Sequence, residues 1–194
     1  MKYIVGLGNP GEKYKTTRHN AGRMFLESQV DKNGWSKSKH ANALYQHGTC
    51  IGEQVEYLLP ETFMNKSGDT VAYVVKKHGA KPEEFIVLHD EIDLPFGEIK
   101  ISKGRGGGGN NGVSSIIQKL GSKDFVRIRI GIAPTSFWTG KTKRPAGGGP
   151  LERFVLKPFT PSERKQLLEV FEKVDAALQT IVKSGVEEAM NKWN

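Results

Sequence analysis

Short apolar runs alternate with segments of helical spacing along this chain. Residues 2–7 (KYIVGL) are mostly β-branched or apolar and alternate little, which predicts a strand buried on both faces. Residues 23–30 have the spacing of an amphipathic helix, and a polar stretch ends it. Two further runs, 42–51 and 54–59, are joined at Gly52. They predict an antiparallel hairpin at one side of a sheet.

The remaining segments continue this alternation. Residues 85–89 (FIVLH) form an apolar run that ends in acidic residues, as at the carboxyl end of a central strand. Further strands are expected at 98–102 and 127–133, and helices at 67–79, 113–120, 161–182 and 186–192. This order predicts an α/β fold: a single globular domain with a mixed, mostly parallel sheet flanked by helices on both faces.

We expect this domain to cover residues 1–194. Residues 136–150 are basic and rich in glycine and proline without a regular pattern, which predicts a mobile surface loop. A proline followed by serine and glutamate then opens a C-terminal helical segment, expected over residues 161–193.

Composition narrows the class of protein only in part. No apolar run approaches the roughly 20 residues of a membrane helix, and the chain opens directly on a strand, so we expect a cytoplasmic protein that does not bind membranes. Cys50 is the single cysteine, which excludes an intramolecular disulfide, and no metal-ligand spacing is present. The formal net charge of +8 favours a polyanionic partner, although many basic domains bind no nucleic acid.

Gly6, Gly8 and Gly11 match the G-x-G-x-x-G fingerprint of dinucleotide-binding folds. In those folds a helix begins within the fingerprint, whereas here an Asn-Pro-Gly turn follows the second glycine. The acidic residue expected further on could be Asp31, but that residue follows a helix rather than a strand. A nucleotide-dependent enzyme is therefore a minor alternative.

His19 and Asp90 are the candidates for acid–base chemistry. His19 follows the glycine turn, and imidazole titrates near neutral pH. Asp90 follows a central strand, where a carboxylate could hold the imidazole in one tautomer. Since no serine, threonine or cysteine has the sequence context of a nucleophile, the pair favours water as the nucleophile. Alone, His19 would be interpreted as an exposed or helix-capping residue.

Three asparagines, Asn9, Asn65 and Asn111, lie in turns or loops beside the ends of predicted elements. An amide can donate a hydrogen bond to a carbonyl oxygen and accept one from a substrate N–H. Each asparagine taken singly is ordinary in a turn, but together the three could form an oxyanion site.

The sequence resembles the bacterial-type peptidyl-tRNA hydrolases in five ordered motifs. The motifs are GLGNPGEKYKTTRHNAG, PETFMNKSG, HDEIDLPFGEIKI, GGNNG and FVRIRIGI. The likeness extends from Met1 to at least Phe159. It implies an enzyme that cleaves the ester between a peptide and the terminal ribose of tRNA, without metal or cofactor, and returns the tRNA to translation. We expect a monomer.

The resemblance implies roles for individual residues. His19 corresponds to the base that activates water, and Asp90 to the group that stabilises its working form. Asn9 corresponds to the residue that recognises a blocked amino group, which favours peptidyl-tRNA over free aminoacyl-tRNA. The positions that match contacts with the tRNA end or the peptide are Tyr14, Phe63, Asn65 and Asn111, with Met64 lining the same cleft.

The positive charge of the chain suggests where tRNA could bind. Four cations near the expected mouth of the site are candidates for tRNA phosphate contacts: Lys100, Lys103, Arg105 and Arg129.

Two residues depart from the family pattern. Asn110 stands where the family usually has histidine, which leaves open the substrate contact made there. Ser102 replaces a lysine often paired with Lys100. The rival function is a non-catalytic RNA-binding protein of the same fold, as in a chloroplast relative that supports intron splicing.

Overall fold

The computed structural model describes residues 1–135, 142 and 144–194, and its strands form one seven-stranded sheet. The strands are β1 (Lys2–Gly6), β2 (Ser36–Ser38), β3 (Ala43–Cys50), β4 (Glu53–Pro60), β5 (Phe85–Pro95), β6 (Ile99–Lys103) and β7 (Val126–Ala133). Their order in space is β2-β3-β4-β1-β5-β7-β6. The four central strands are mutually parallel, while β2, β3 and β6 pair antiparallel. The predicted mixed sheet is confirmed.

Helices cover both faces of this sheet. They are α1 (Ala21–Gln29), α2 (Gly68–His78), α3 (Asn111–Leu120), α4 (Gly149–Val155), α5 (Pro161–Ser184) and α6 (Val186–Trp193). The helices α1, α5 and α6 pack on one core, and α2 and α3 pack on the other. Among the described residues, no helix is long and apolar enough to cross a membrane.

The alternation of β5 divides its side chains between the two cores. Phe85 and Val87 pack with α2 and α3, whereas Ile86 and Leu88 pack with α1 and α5. All four side chains are fully buried, as the apolar run predicts for a central parallel strand. The polar end of β5 then emerges at the carboxyl edge of the sheet, where ligands bind in open α/β folds.

Close packing of α1 places the N-terminal loop beside the end of β5. A Cβ atom at Gly22 would lie 2.1 Å from the carbonyl oxygen of Leu88, so only glycine allows this approach. Gly6 and Leu88 are register partners in β1 and β5. The short 3₁₀ turn Arg18–Asn20, which leads into α1, therefore lies next to Asp90.

The structure differs from the sequence-based expectation at three elements. Strand β5 is longer than expected, and β2 is a three-residue edge strand too short to show a pattern. Helix α4 was not expected, and it begins at Gly149, inside the predicted loop 136–150. None of its residues is fully buried, and its short sequence has no continuous apolar face that would have indicated a helix. Residues 136–141 and 143 of that predicted loop lie outside the described part of the chain.

The hairpin turn between β3 and β4 holds a strained residue. Ile51 and Gly52 both have positive φ, 50° and 80°, as a two-residue type I′ turn requires. A β-branched residue is unfavourable in this region, whereas asparagine is favoured. We therefore expect Ile51→Asn to raise the free energy of unfolding by about 1 kcal/mol. Chemical denaturation measures the change, and Ile51→Val serves as the control that keeps the strain. Equal stability of parent and Ile51→Asn would contradict the assignment.

Candidate active site

A cleft of about 730 Å³ lies at the carboxyl edge of the parallel strands. Residues from the loop after β1, the turn before α2, the end of β5, the N-terminus of α3 and helix α4 line it. Its lining includes nine of the residues singled out from the sequence: Asn9, Tyr14, His19, Phe63, Met64, Asn65, Asp90, Asn110 and Asn111. Segments far apart in sequence thus converge on one site.

His19 and Asp90 are in direct contact in this cleft. His19 Nδ1 lies 2.9 Å from Asp90 Oδ1. The Asp90 side chain is only 4% exposed, and that of His19 is 12% exposed. A carboxylate accepts a hydrogen bond but cannot donate one, so Nδ1 carries the proton. In the neutral ring, Nε2 is therefore the unprotonated atom available to accept a proton.

The environment of His19 raises its pKa above the ordinary value of 6.5. Burial of the ring acts in the opposite direction, because it disfavours the charged imidazolium. The charge of Asp90 and its hydrogen bond outweigh that effect. The Asp90 carboxylate thus makes His19 a stronger base than burial alone would allow.

Asp90 is itself held by its neighbours. Asn110 Nδ2 donates to Asp90 Oδ1 at 2.9 Å, the same oxygen that accepts from His19. The ring of His89, on β5, lies with Nδ1 2.7 Å from the backbone oxygen of Asp90 and donates to it. Burial lowers the pKa of His89 to about 4, so this ring is neutral at physiological pH.

Asn9 is fixed through both its backbone and its side chain. The Asn20 side chain accepts from the backbone N–H of Asn9 at 2.8 Å and donates to its carbonyl oxygen at 2.9 Å. Asn9 Oδ1 accepts from the backbone N–H of Met64 at 2.8 Å. This bond fixes which end of the Asn9 amide is oxygen, so the opposite end, Nδ2, carries the donors that can bind another molecule.

The other predicted contact residues form the rim of the cleft. Tyr14 and Phe63 make an edge-to-face aromatic pair, with ring centroids 6.4 Å apart. Phe63 is 58% exposed, which is unusual for a large apolar side chain. Met64 is buried beneath the rim, while Asn65 and Asn111 are exposed. Aromatic faces and amide groups thus border the same opening.

The four predicted cations lie outside the lining of the cleft. Lys100 on β6 and Arg129 on β7 are cross-strand neighbours, and Arg129 Nε donates to Glu91, a cleft residue, at 2.9 Å. Lys103 is three residues beyond Lys100, so it lies on the other face of β6. Arg105 is exposed in the glycine-rich loop that follows. The structure therefore groups Lys100 with Arg129 but separates Lys103 from them.

Sequence reasoning missed two parts of the site. Asn20 orients Asn9, but nothing distinguishes it in the sequence from any asparagine before a helix. An apolar wall comes from Leu151 and Val155 of helix α4 and from Leu156, which follows it. Pro150, directly after a run of glycines, was a usable signal for the start of this helix, since proline is favoured in the first turn of a helix. Among the described residues, no group of three or more His, Cys, Asp and Glu side chains is placed to hold a metal ion.

Comparison with known proteins places the chain in a family. The family model described as "Peptidyl-tRNA hydrolase" matches residues 3–194. The chain belongs to the peptidyl-tRNA hydrolase family. Two curated relatives of that name illustrate the likeness. The one from Syntrophotalea carbinolica is 40% identical over 195 residues, with 100% of this chain and 97% of the relative covered. That from Halalkalibacterium halodurans is 37% identical, with 100% of both covered.

A solved member of the peptidyl-tRNA hydrolase family has the same fold. The crystal structure from Acinetobacter baumannii matches with a TM-score of 0.86 and 33% sequence identity, covering 100% of this chain and 94% of that one. The fold class and the family predicted from the sequence are thus confirmed over the whole chain. The roles of individual residues in the peptidyl-tRNA hydrolase site stay predictions.

Proposed function

We propose that the chain hydrolyses the ester between a peptide and the terminal ribose of tRNA, with His19 as the base that activates water. The observation that carries this proposal is the 2.9 Å contact between His19 and Asp90 inside the cleft. Membership of the family supports peptidyl-tRNA as the substrate, because curated relatives that match over the full length are named peptidyl-tRNA hydrolase. The confirmed family also makes ester hydrolysis the reaction class.

The proposed reaction needs one base and hydrogen-bond donors. His19 Nε2 takes a proton from water as the oxygen attacks the carbonyl carbon of the ester. The negative charge that develops on the carbonyl oxygen is stabilised by amide donors. The tetrahedral intermediate then expels the ribose oxygen, which receives the proton from the His19 imidazolium. Asp90 supports this cycle because its charge favours the protonated ring.

Asn9 can distinguish a blocked from a free amino group by its remaining hydrogen-bond capacity. Its oxygen is held by the Met64 N–H, so the opposite end of the amide, Nδ2, offers donors to the substrate. The amide carbonyl that links the amino group of a peptidyl substrate to the preceding residue accepts such a bond. A free aminoacyl group presents an ammonium, which can only donate. The site therefore favours peptidyl-tRNA over aminoacyl-tRNA.

Removing this donor tests the role of Asn9. We expect Asn9→Asp to lower kcat/KM for N-acetylated aminoacyl-tRNA about 100-fold, as losing one positioned donor does in other sites. The carboxylate still accepts the Met64 N–H, so the loop keeps its structure, but it offers no donor to the substrate. Steady-state hydrolysis gives the ratio, and the melting temperature checks the fold. Full activity in Asn9→Asp would exclude Asn9 as a donor.

We propose that the tRNA end enters past Tyr14 and Phe63 and that its phosphates contact the basic groups on β6 and β7. Aromatic rings on a rim can stack with unpaired bases, and such stacking is worth about 1–3 kcal/mol per base. Lys100 and Arg129 are paired across the strands on one face and suit one phosphate. We further propose a cytoplasmic monomer that needs no metal or cofactor.

The rival functions differ in what they predict for a purified protein. A non-catalytic RNA-binding protein would bind blocked aminoacyl-tRNA without releasing tRNA, whereas the proposed enzyme releases it. A nucleotide-dependent enzyme would be stabilised against heat by NAD or ATP. The close pairing of His19 with Asp90 favours catalysis, because binding alone has no need of a base. Release of tRNA from N-acetylated but not from free aminoacyl-tRNA is the expected result.

A further inference from the structure

The side chain of Asn110 has every hydrogen-bonding group engaged. Its Oδ1 accepts from the backbone N–H of Gly112 at 3.0 Å and of Val113 at 3.2 Å, which caps the first turn of α3. Its Nδ2 donates to Asp90 Oδ1 at 2.9 Å and lies 3.4 Å from the Asp90 backbone oxygen. The two helix N–H groups fix which end of the amide is oxygen, and therefore which end faces Asp90.

The two donors that meet at Asp90 come from different parts of the chain. Both His19 Nδ1 and Asn110 Nδ2 lie 2.9 Å from Oδ1. A carboxylate oxygen that accepts two bonds from fixed donors loses its freedom to rotate away from either one. The nitrogen of Asn110 has no pKa in the accessible range, so its support does not depend on pH.

We propose that Asn110 is a positioning residue that holds the Asp90 carboxylate against His19 while its oxygen anchors the start of α3. The proposal rests on His19 being the base of the proposed reaction. It assigns Asn110 a function through Asp90 rather than a direct contact with substrate. Because Asn111 is the first residue of α3, the same side chain also fixes the substrate-facing asparagine relative to the His19–Asp90 pair.

Two other charged residues of the cleft lining, Glu91 and Arg144, form ion pairs with residues other than Asp90. Glu91 pairs with Arg129 and Arg144 with Asp93, and Arg18 pairs with Glu163. Glu152 of α4 and Tyr14 also line the cleft, and His89 is neutral. Within the part of the chain that the structure describes, the side-chain donors to the Asp90 carboxylate are His19 and Asn110. The charge of Asp90 is thus shared between these two donors.

Two variants separate the bond to Asp90 from the helix cap. Asn110→Ser keeps an oxygen that can cap α3, but its side chain is too short to reach Asp90. Asn110→Asp also keeps the cap, removes the donor and adds a second negative charge beside Asp90. Without the bond from Asn110, the Asp90 carboxylate is free to turn away from His19, so Asn110→Ser lowers the pKa of His19. In Asn110→Asp the added negative charge acts in the opposite direction and keeps the pKa of His19 above that of Asn110→Ser.

The test combines kinetics with a titration that does not depend on activity. We expect kcat for N-acetylated aminoacyl-tRNA to fall about tenfold in Asn110→Ser, the cost of one net hydrogen bond. The acid limb of kcat/KM should move to lower pH in Asn110→Ser and should lie about one unit higher in Asn110→Asp than in Asn110→Ser. NMR of the His19 ring in the free protein should show the same order of pKa values.

A matched control destabilises the other end of α3. Gly121 caps that helix with φ of 64°, so Gly121→Ala strains it without touching Asp90. We expect a lower melting temperature and an unchanged acid limb. Parent kcat and an unchanged acid limb in both Asn110 variants would reduce Asn110 to a helix cap and overturn the proposal. If the parent releases no tRNA while the His19 pKa still moves, the proposed function fails and the positioning role stands.

Discussion

Replacing His19 with alanine is expected to lower kcat for N-acetylated aminoacyl-tRNA about 1,000-fold, within the range typical of a positioned general base. The substitution removes Nε2, the atom assigned to take the proton from water. It leaves the amide donors and the aromatic rim in place, so KM should change by less than threefold. Single-turnover hydrolysis at saturating enzyme measures the chemical step directly.

The chain offers a matched control for this loss. His47 is exposed on β3, in an outer part of the sheet, and is not among the residues that line the cleft. His47→Ala should therefore keep the parent rate. A kcat of His19→Ala within tenfold of the parent would remove His19 from the proposed role. Unchanged thermal unfolding of His19→Ala would show that the loss is chemical rather than structural.

The second large effect concerns Asp90. Asp90→Asn should lower kcat about 1,000-fold, because the imidazolium formed in the reaction loses its neighbouring charge. Its amide oxygen can still accept from His19 and Asn110, so the geometry of the pair has partners to maintain it. The pKa of His19 should fall below that of the parent.

Two readouts together identify this effect. The kinetic loss is measured by single-turnover hydrolysis, and the pKa by NMR of the His19 ring. Glu152→Gln is a suitable control, since it removes a cleft carboxylate that makes no hydrogen bond to His19 among the described residues. If Asp90→Asn retained the parent kcat and the parent pKa, the carboxylate would have no influence on His19.

The sequence was sufficient for those parts of the fold that follow from local pattern. The apolar run at the start of β5 predicted a central strand because such a strand is buried on both faces of the sheet. Asp90 predicted a site because it comes directly after that run. Helix α4 could not be predicted in the same way, since it has only seven residues and its apolar side chains are only partly buried between the core and the cleft. Strand β2 has only three residues, fewer than a periodic pattern requires.

The N-terminal glycines show how one motif can have two explanations. A Cβ at Gly8 would lie 2.7 Å from the Cβ of Arg23 and 2.9 Å from Cγ of Asn20. A Cβ at Gly6 would lie 2.8 Å from the carbonyl oxygen of Gly22. Both glycines are therefore required for the close approach of α1 and its preceding turn, independently of any phosphate. The fingerprint spacing alone could not distinguish these cases.

Orientation of the polar side chains depends on contacts between distant residues. Asn9 presents a donor because its oxygen meets the N–H of Met64, 55 residues later. Asn110 faces Asp90 because its oxygen is held by the first turn of α3. A sequence lists the amides without indicating which atom is free. The residue types at the site were therefore predictable, and their hydrogen-bonding direction was not.

The pH dependence of kcat/KM in the parent tests the central claim most directly. If His19 must be neutral to accept a proton from water, activity is lost as pH falls through its pKa. Since Asp90 raises that pKa, the acid limb should have its midpoint above 6.5 and should coincide with the NMR titration of the His19 ring. An acid limb that does not follow the titration of His19 would contradict the account.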